Sequence, residues 1–475
     1  MKYEALLEGL EISIISYTNL QNGVETLRFD SEYYLKEYVQ IEKYIHDNKN
    51  RFSCFSDWGI NIDCSAFYPA VEPFYGEGNI PFIRVQNVKE VIDYNDCVNI
   101  PQLPSEQYST LKKVESGDIV MTKGGSIGFV GYITQESYAC RDLIFIKSSI
   151  LSEEQSVFLY LYFSTDFAYK QLIRSSSQCA QPHLTITLVK NIDILKISPM
   201  LMKECAILYS HFRQKYLASN ALYKEAERLL LKELRISELI QTTNSIANKR
   251  FSDFVNSGRL DAEYYQPKYD DLFFRLSKFE TKRLGDIVRI HKSIEPGSEA
   301  YQNQGIPFMR VSNLSKFGFS DTEIHLLPDE YKDIIRPKQN TILLSKDGSV
   351  GIAYKVEQDM DVITSGAILH LTIKDNEFMP DYLTLVLNSV IVGMQAERDA
   401  GGSIIQHWKP SEIENVIIPK LSQEIQQEIT NKVRESFALR RESKRLLNLA
   451  KTAVETAIEQ GENEALELLE YKLCR

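Results

Sequence analysis

The chain is poor in the residues that metal, disulfide and membrane chemistry require. Its seven cysteines, at 54, 64, 97, 140, 179, 205 and 474, form no CxxC pair. Neither a zinc site nor a disulfide framework is indicated, and free buried thiols are expected. Seven histidines include no HExxH spacing, and only His183 and His407 fall near corresponding positions of the repeat described below. A surface or core role is the plain reading of them. Neither NPPY nor DPPY, the usual site for amino-methylation of a base, occurs, so the chain is read as non-catalytic. No run approaches the roughly 20 apolar residues of a membrane span. The start, MKYEALLEGLEISIISY, lacks a basic n-region, and a cytoplasmic location is expected. Positive charge is also short: 54 Lys and Arg against 65 Asp and Glu leave −11 at pH 7. That balance argues against indiscriminate polyanion binding and leaves room only for a local basic groove.

What is present is an ordinary folding composition, 43% hydrophobic and 25% charged over 475 residues, enough for several cores. Internal repetition organises it. RFDSEYYLKEY at 28 to 38 matches RLDAEYYQPKY at 259 to 269; IPFIRVQNV at 80 to 88 matches IPFMRVSNL at 306 to 314; KGGSIG at 123 to 128 matches KDGSVG at 346 to 351. Gln181 then faces Gln406, and LYKEAERLLLKEL at 222 to 234 faces LRRESKRLLNLAK at 439 to 451. Five blocks in one order mean two tandem homologous halves, too few and too long to be a solenoid.

Each half divides into a mixed and a helical segment. DIVMTKGGSIGFVGYI and NTILLSKDGSVGIAYKV read as hairpins broken by Gly-rich turns, with Asp347-Gly348 fitting a type I′ pair. A phosphate-binding loop is disfavoured, because GxxxxGK[ST] between strand and helix is absent and a strand is expected to follow the turn. Ser198-Pro199 and Ser422-Gln423-Glu424 give helix starts. Leu222, Leu229 and Ile236, and Leu439, Leu446 and Ala453, recur by sevens, with Ile425, Ile429 and Val433 extending the second stripe. Two long amphipathic helices packed together are expected. At about 1.5 Å per residue, roughly 35 to 40 residues would span on the order of 55 to 60 Å, long enough to act as a ruler along duplex DNA.

Taken together these blocks resemble the specificity subunit of a type I restriction-modification system, over essentially the whole chain. The resemblance implies an α+β fold: two tandem α/β target recognition domains separated by two long antiparallel coiled-coil helices. The corresponding boundaries are 1–50 for an N-terminal extension and first conserved segment, 51–198 for recognition domain 1, and 199–250 for a central helical spacer. The second conserved segment is 251–281, recognition domain 2 is 282–420, and the C-terminal helix is 421–475. It further implies a split double-stranded DNA site and docking of methyltransferase subunits, expected as two, that modify adenine. Restriction or translocase subunits can join; no cofactor is expected on this chain, and S-adenosylmethionine is expected on the methyltransferase. About 27 residues before the first block and the acidic balance depart from the family. A methylation-based phage-defence system without a classical nuclease, and a coiled-coil scaffold without DNA readout, are the competing readings.

Base edges are read by Arg, Asn and Gln, and phosphates by Lys and Ser. The DNA-contact candidates are Arg84, Asn87, Lys123, Ser126 and Gln181, with Arg310, Asn313, Lys346, Ser349, Arg398 and Gln406. A repeated Arg can equally serve an internal ion pair, and a repeated Asn can cap a turn. Because halves that read different sequences must differ where they read, specificity is expected in 61–79, 167–181, 293–305 and 393–406, with Trp408 just beyond. Tyr33, Tyr34, Tyr264 and Tyr265, with Leu222, Leu229, Leu439 and Leu446, are candidates for partner binding or for core packing.

Overall fold

The computed structural model describes residues 15, 31–176, 183–236, 246–400 and 406–473. It forms two compact units, residues 1–214 with 443–475, and residues 215–442. Among the described residues no helix is long and apolar enough to cross a membrane.

In the first unit, four strands pair in the order Ile62–Cys64, Leu143–Ile146, Ile119–Thr122, Val130–Tyr132, every pair antiparallel. The two central strands are buried along their whole length, which is why LIFI and IVMT read as near-continuous apolar runs rather than alternating ones. A second sheet orders Val98–Ile100, Ile80–Ile83, Ser137–Ala139 and Lys113–Val114. Its one parallel pairing sets Phe82 beside Tyr138. Helix Glu153–Phe163 starts at Ser152, whose hydroxyl accepts the Gln155 N–H at 3.3 Å, and is buried from Ser156 onward.

The second unit repeats this plan. Val288–Lys292, Ile368–Ile373, Ile342–Ser345 and Ala353–Lys355 form the four-stranded sheet, and His325–Leu326, Ile306–Met309 and Ile363–Thr364 the other. Phe308 lies beside Ile363 in the single parallel pairing. In each unit a short antiparallel pair joins the ends of the domain: Phe52–Cys54 with Asp193–Leu195, and Thr281–Arg283 with Ile417–Pro419.

Both hairpins form, but Asp347-Gly348 does not make a type I′ turn. That turn needs positive φ at both central residues; Gly348 has φ +71°, whereas only Arg235 and Asn340 are positive among the described non-glycines. The loop is longer, closed by the Gly351 N–H on the Ser345 carbonyl at 2.9 Å. Asp347 is held instead by Lys346 and by an isolated bridge to His407.

The long helices are Pro199–Glu233 and Gln423–Glu459. Ser198 and Ser422 cap them, accepting the Leu201 and Ile425 N–H groups at 3.3 and 3.4 Å. In the second unit Ser219 meets Ser436 and Glu225 meets Lys432; in the first, Phe212 meets Ser443. Rising numbers on one helix meet falling numbers on the other, so the pair is antiparallel. On the first helix the seam differs from the leucine spacing, and on the second it follows the expected stripe except at Leu439. Tyr223, Ala226, Leu230 and Leu234 are buried, while Leu222 and Leu229 are half-buried flanks. On the second helix Ile429, Val433, Phe437, Leu446 and Ala453 are buried and Leu439 is half-buried. Tyr, Ala and Ser in the seam dilute its hydrophobic signal, whereas flanking leucines supply an apparent seven-residue repeat one position away.

The five described cysteines are free. Burial pushes the thiols of Cys97 and Cys140 up to about 11 and that of Cys205 up to about 12, which leaves them inert at neutral pH.

Candidate nucleic-acid interface

One chain of backbone hydrogen bonds assembles an edge in each unit. In the first, the Cys140 N–H donates to the Ile83 carbonyl, Lys123 N–H to Asp142, and Leu184 N–H to Lys123. In the second, Ser365 donates to Met309, Lys346 to Ala367, and Trp408 to Lys346. The strand that ends just before Arg84 or Arg310, the hairpin loop, and the segment entering the last short helix of the domain are thereby brought side by side. These are three separate stretches of sequence, and each holds residues suited to DNA.

Arg84 is half-buried with its guanidinium 5.6 Å from the Tyr75 ring centroid, and its Nε has no hydrogen-bond partner among the described residues. Arg310 is exposed. The two asparagines do one job: Asn87 Oδ1 accepts the Arg84 N–H at 3.0 Å and Asn313 Oδ1 the Arg310 N–H at 3.0 Å. Their amide nitrogens donate to the carbonyls of Asp96 and Asp321. Each amide thus helps to fix the turn that carries the arginine.

Ser126 and Ser349 are exposed on the hairpin loops, with Phe129 also 53% exposed. Lys123 is half-buried at the base of its loop; Lys346 is paired to Asp347. Gln406 is exposed, and its carbonyl accepts the Gly348 N–H at 2.9 Å. Gln181 lies outside the described residues. Arg398 is not on this edge: it is bound to Asp399 at 2.6 Å and stacks on Phe273 and Tyr264 at 4.5 and 5.1 Å. The tyrosine pairs are half-buried, Tyr33 under Arg174 and Tyr264 under Arg259 and Arg398. The Tyr265 hydroxyl donates to the Arg259 carbonyl at 2.9 Å. Each pair packs against its own domain. Leu446 is buried, whereas Leu222, Leu229 and Leu439 keep part of their surface in solvent.

The model of the type I restriction modification DNA specificity domain matches residues 63–197 and 277–439. The chain belongs to this family. It is a non-catalytic, DNA-specificity component of a type I restriction-modification system, with one specificity domain in each unit. Among solved structures it is similar to the S subunit of a type I system from M. genitalium, at 12% identity and a TM-score of 0.39, over 86% of this chain and 94% of that one. It is also similar to the HsdS subunit from Thermoanaerobacter tengcongensis, at 14% identity and a TM-score of 0.28, over 86% and 97%. A type IIG restriction endonuclease, BpuSI, aligns at 8% identity and a TM-score of 0.31, over 37% of this chain and 28% of that one. A comparison with curated proteins finds no match.

Two features of the specificity domains take their meaning from the fold. Arg174 is the counterpart of Arg398, each stacked on the first tyrosine of a pair. His183 and His407, near one another in repeat position but out of step with the neighbouring blocks, sit at the same point of the interface edge. The sign in the sequence was their shared place just after the diverged stretches.

Proposed function

We propose that the chain reads a bipartite duplex-DNA site, one half with each specificity domain, and docks methyltransferase subunits that modify adenine. The observation that carries this reading is the doubled edge: the same three stretches are hydrogen-bonded side by side in both units, with Arg84 or Arg310, Lys123 or Lys346 and exposed Ser126 or Ser349 upon it. The first domain contributes one half-site and the second the other, with the diverged loops around Tyr75 and before His407 setting the bases. The two long helices, 35 and 37 residues, would each extend about 50 to 55 Å and fix the gap between half-sites. S-adenosylmethionine belongs to the methyltransferase in this reading, and restriction or translocase subunits are optional members.

The test is co-expression with the methyltransferase encoded beside this chain and mapping of methylated adenines across the host genome. A split motif that disappears when this chain is omitted is the expected result. Soluble, associated proteins that leave no motif would overturn it. A domain exchange refines the test: replacing 51–198 by the equivalent domain of a relative should change one half of the motif only.

A further inference from the structure

Each specificity domain rests one imidazole on its hairpin loop. His183 precedes Leu184, whose N–H reaches the Lys123 carbonyl at 3.0 Å; His407 precedes Trp408, whose N–H reaches the Lys346 carbonyl at 2.8 Å. Both histidines are exposed, the His407 side chain by 62%. His407 Nδ1 is 2.8 Å from Asp347 Oδ1. In the first domain the residue matching Asp347 is Gly124, and a Cβ there would stand 3.0 Å from His183 Cε1 and 3.8 Å from Asp142 Oδ1. The residue matching Asp142, by the shared bond to the lysine N–H, is Ala367.

The acid and the small residue have therefore exchanged places: Gly124 with Asp142 in one half, Asp347 with Ala367 in the other. A carboxylate, an imidazole and a lysine survive together on the loop although the carboxylate sits on a different segment. Packing alone would keep the position; a shared task keeps the chemistry.

We propose that His183 and His407 contact duplex phosphates, one from each specificity domain, with Asp347 positioning His407 and His183 lying against the loop at Gly124. The inference rests on the reading of the chain as a DNA-binding subunit. A group common to two domains that read different sequences fits a feature common to all sequences, and that is the phosphate. The Asp347 carboxylate occupies Nδ1, so Nε2 is the edge left to donate. Burial pushes the Asp347 carboxyl up, but Lys346 and His407 together hold it below the usual carboxylate range, which keeps it an acceptor at neutral pH.

The experiment measures binding of the full chain with its methyltransferase subunits to the target duplex and to a scrambled duplex across a salt series. His183→Asn, His407→Asn and the double variant are compared with the wild type. Each single change is expected to weaken both duplexes by the same factor, about fivefold. Asp347→Asn should lower affinity for both duplexes without altering their ratio. Unchanged affinity in the double variant, beside a wild type that still selects its target, would overturn the inference and leave the DNA reading intact. A loss confined to one base pair would overturn it in favour of base contact. A wild-type complex that binds neither duplex would overturn both.

Discussion

Arg174 lies over the ring of Tyr33 at 4.4 Å and donates its Nε–H to the Tyr33 carbonyl at 3.0 Å, so one side chain fixes both the ring and the backbone of the segment before the first specificity domain. Its Nη2 also reaches Glu42 at 2.7 Å. The tyrosines it holds meet edge to face at 5.0 Å, as Tyr264 and Tyr265 do at 4.9 Å under Arg398. Removing the guanidinium forfeits a partly desolvated cation–π contact and a charge-assisted bond, together about 1–2 kcal/mol. Arg174→Ala should speed hydrogen exchange over residues 31–38 by about tenfold, and Arg174→Lys should rescue it only in part, since an ammonium does not stack as a guanidinium does. Equal exchange in wild type and Arg174→Ala would show that the segment is held by something else.

The helix seam yields a ranking. Leu230 is fully buried in the second unit, and Leu222 is a half-buried flank. Leu230→Ala should cost about 2–4 kcal/mol in urea unfolding, whereas Leu222→Ala should cost about 1 kcal/mol or less. If the flanks serve docking, Leu222→Ala with Leu229→Ala should weaken methyltransferase association while leaving the unfolding midpoint nearly unchanged. The reverse ranking of Leu222 and Leu230 would restore the leucine seam.

The repeat, the hairpins and both helix starts were legible in the sequence because each is written in local chemistry: fully apolar strand runs, Gly at positive φ in the loops, and Ser at the N-caps. The seam was legible in part: Ile429, Val433, Leu446 and Ala453 are buried as their spacing suggests, but Ser219, Tyr223 and Ser436 do not look like core until the partner helix is in place. Asn87 and Asn313 have the residue type for base readout, and the turn-closing role that their amides also play shows only once the backbone of Arg84 and Arg310 is placed beside them. The near match of His183 and His407 shows in the repeat, but their shared place on the edge depends on a long-range bond to the hairpin that no local pattern writes.

Asp381 is 2% exposed and joins Lys355 at 2.6 Å to Arg434 of the second long helix at 2.9 Å. Lys355 is itself 8% exposed and keeps a second partner, Glu357, at 2.9 Å. Asp381→Ala would leave a buried ammonium with half its compensation, at a cost of about 3 kcal/mol. Lys355→Met together with Asp381→Leu removes both charges and should restore most of the loss, because burying the pair was itself expensive. Chemical denaturation of the four species forms a double-mutant cycle; a cycle without coupling would show that the pair acts independently.

His370 replaces, in the second domain, the position of Phe145 in the first, and its Nε2 meets Thr364, which stands where the first domain has Ala139. Burial, with a smaller contribution from His291, lowers the His370 imidazole from 6.5 to about 4. A base whose folded value is depressed is neutral in the fold and protonated more readily in the unfolded chain. Its contribution to stability is intact above pH 6.5 and is lost as pH falls from there through about 4, by about 3 kcal/mol in all. The double change Thr364→Ala with His370→Phe copies the apolar pair of the first domain and leaves no hydroxyl stranded in the core. Urea unfolding of the wild type and the double variant at pH 7.5 and at pH 5 should show a gap between them that widens by about 2 kcal/mol at the lower pH. An identical pH dependence in the two proteins would mean that His370 is protonated in the fold and that the buried pair is no acid-sensitive element.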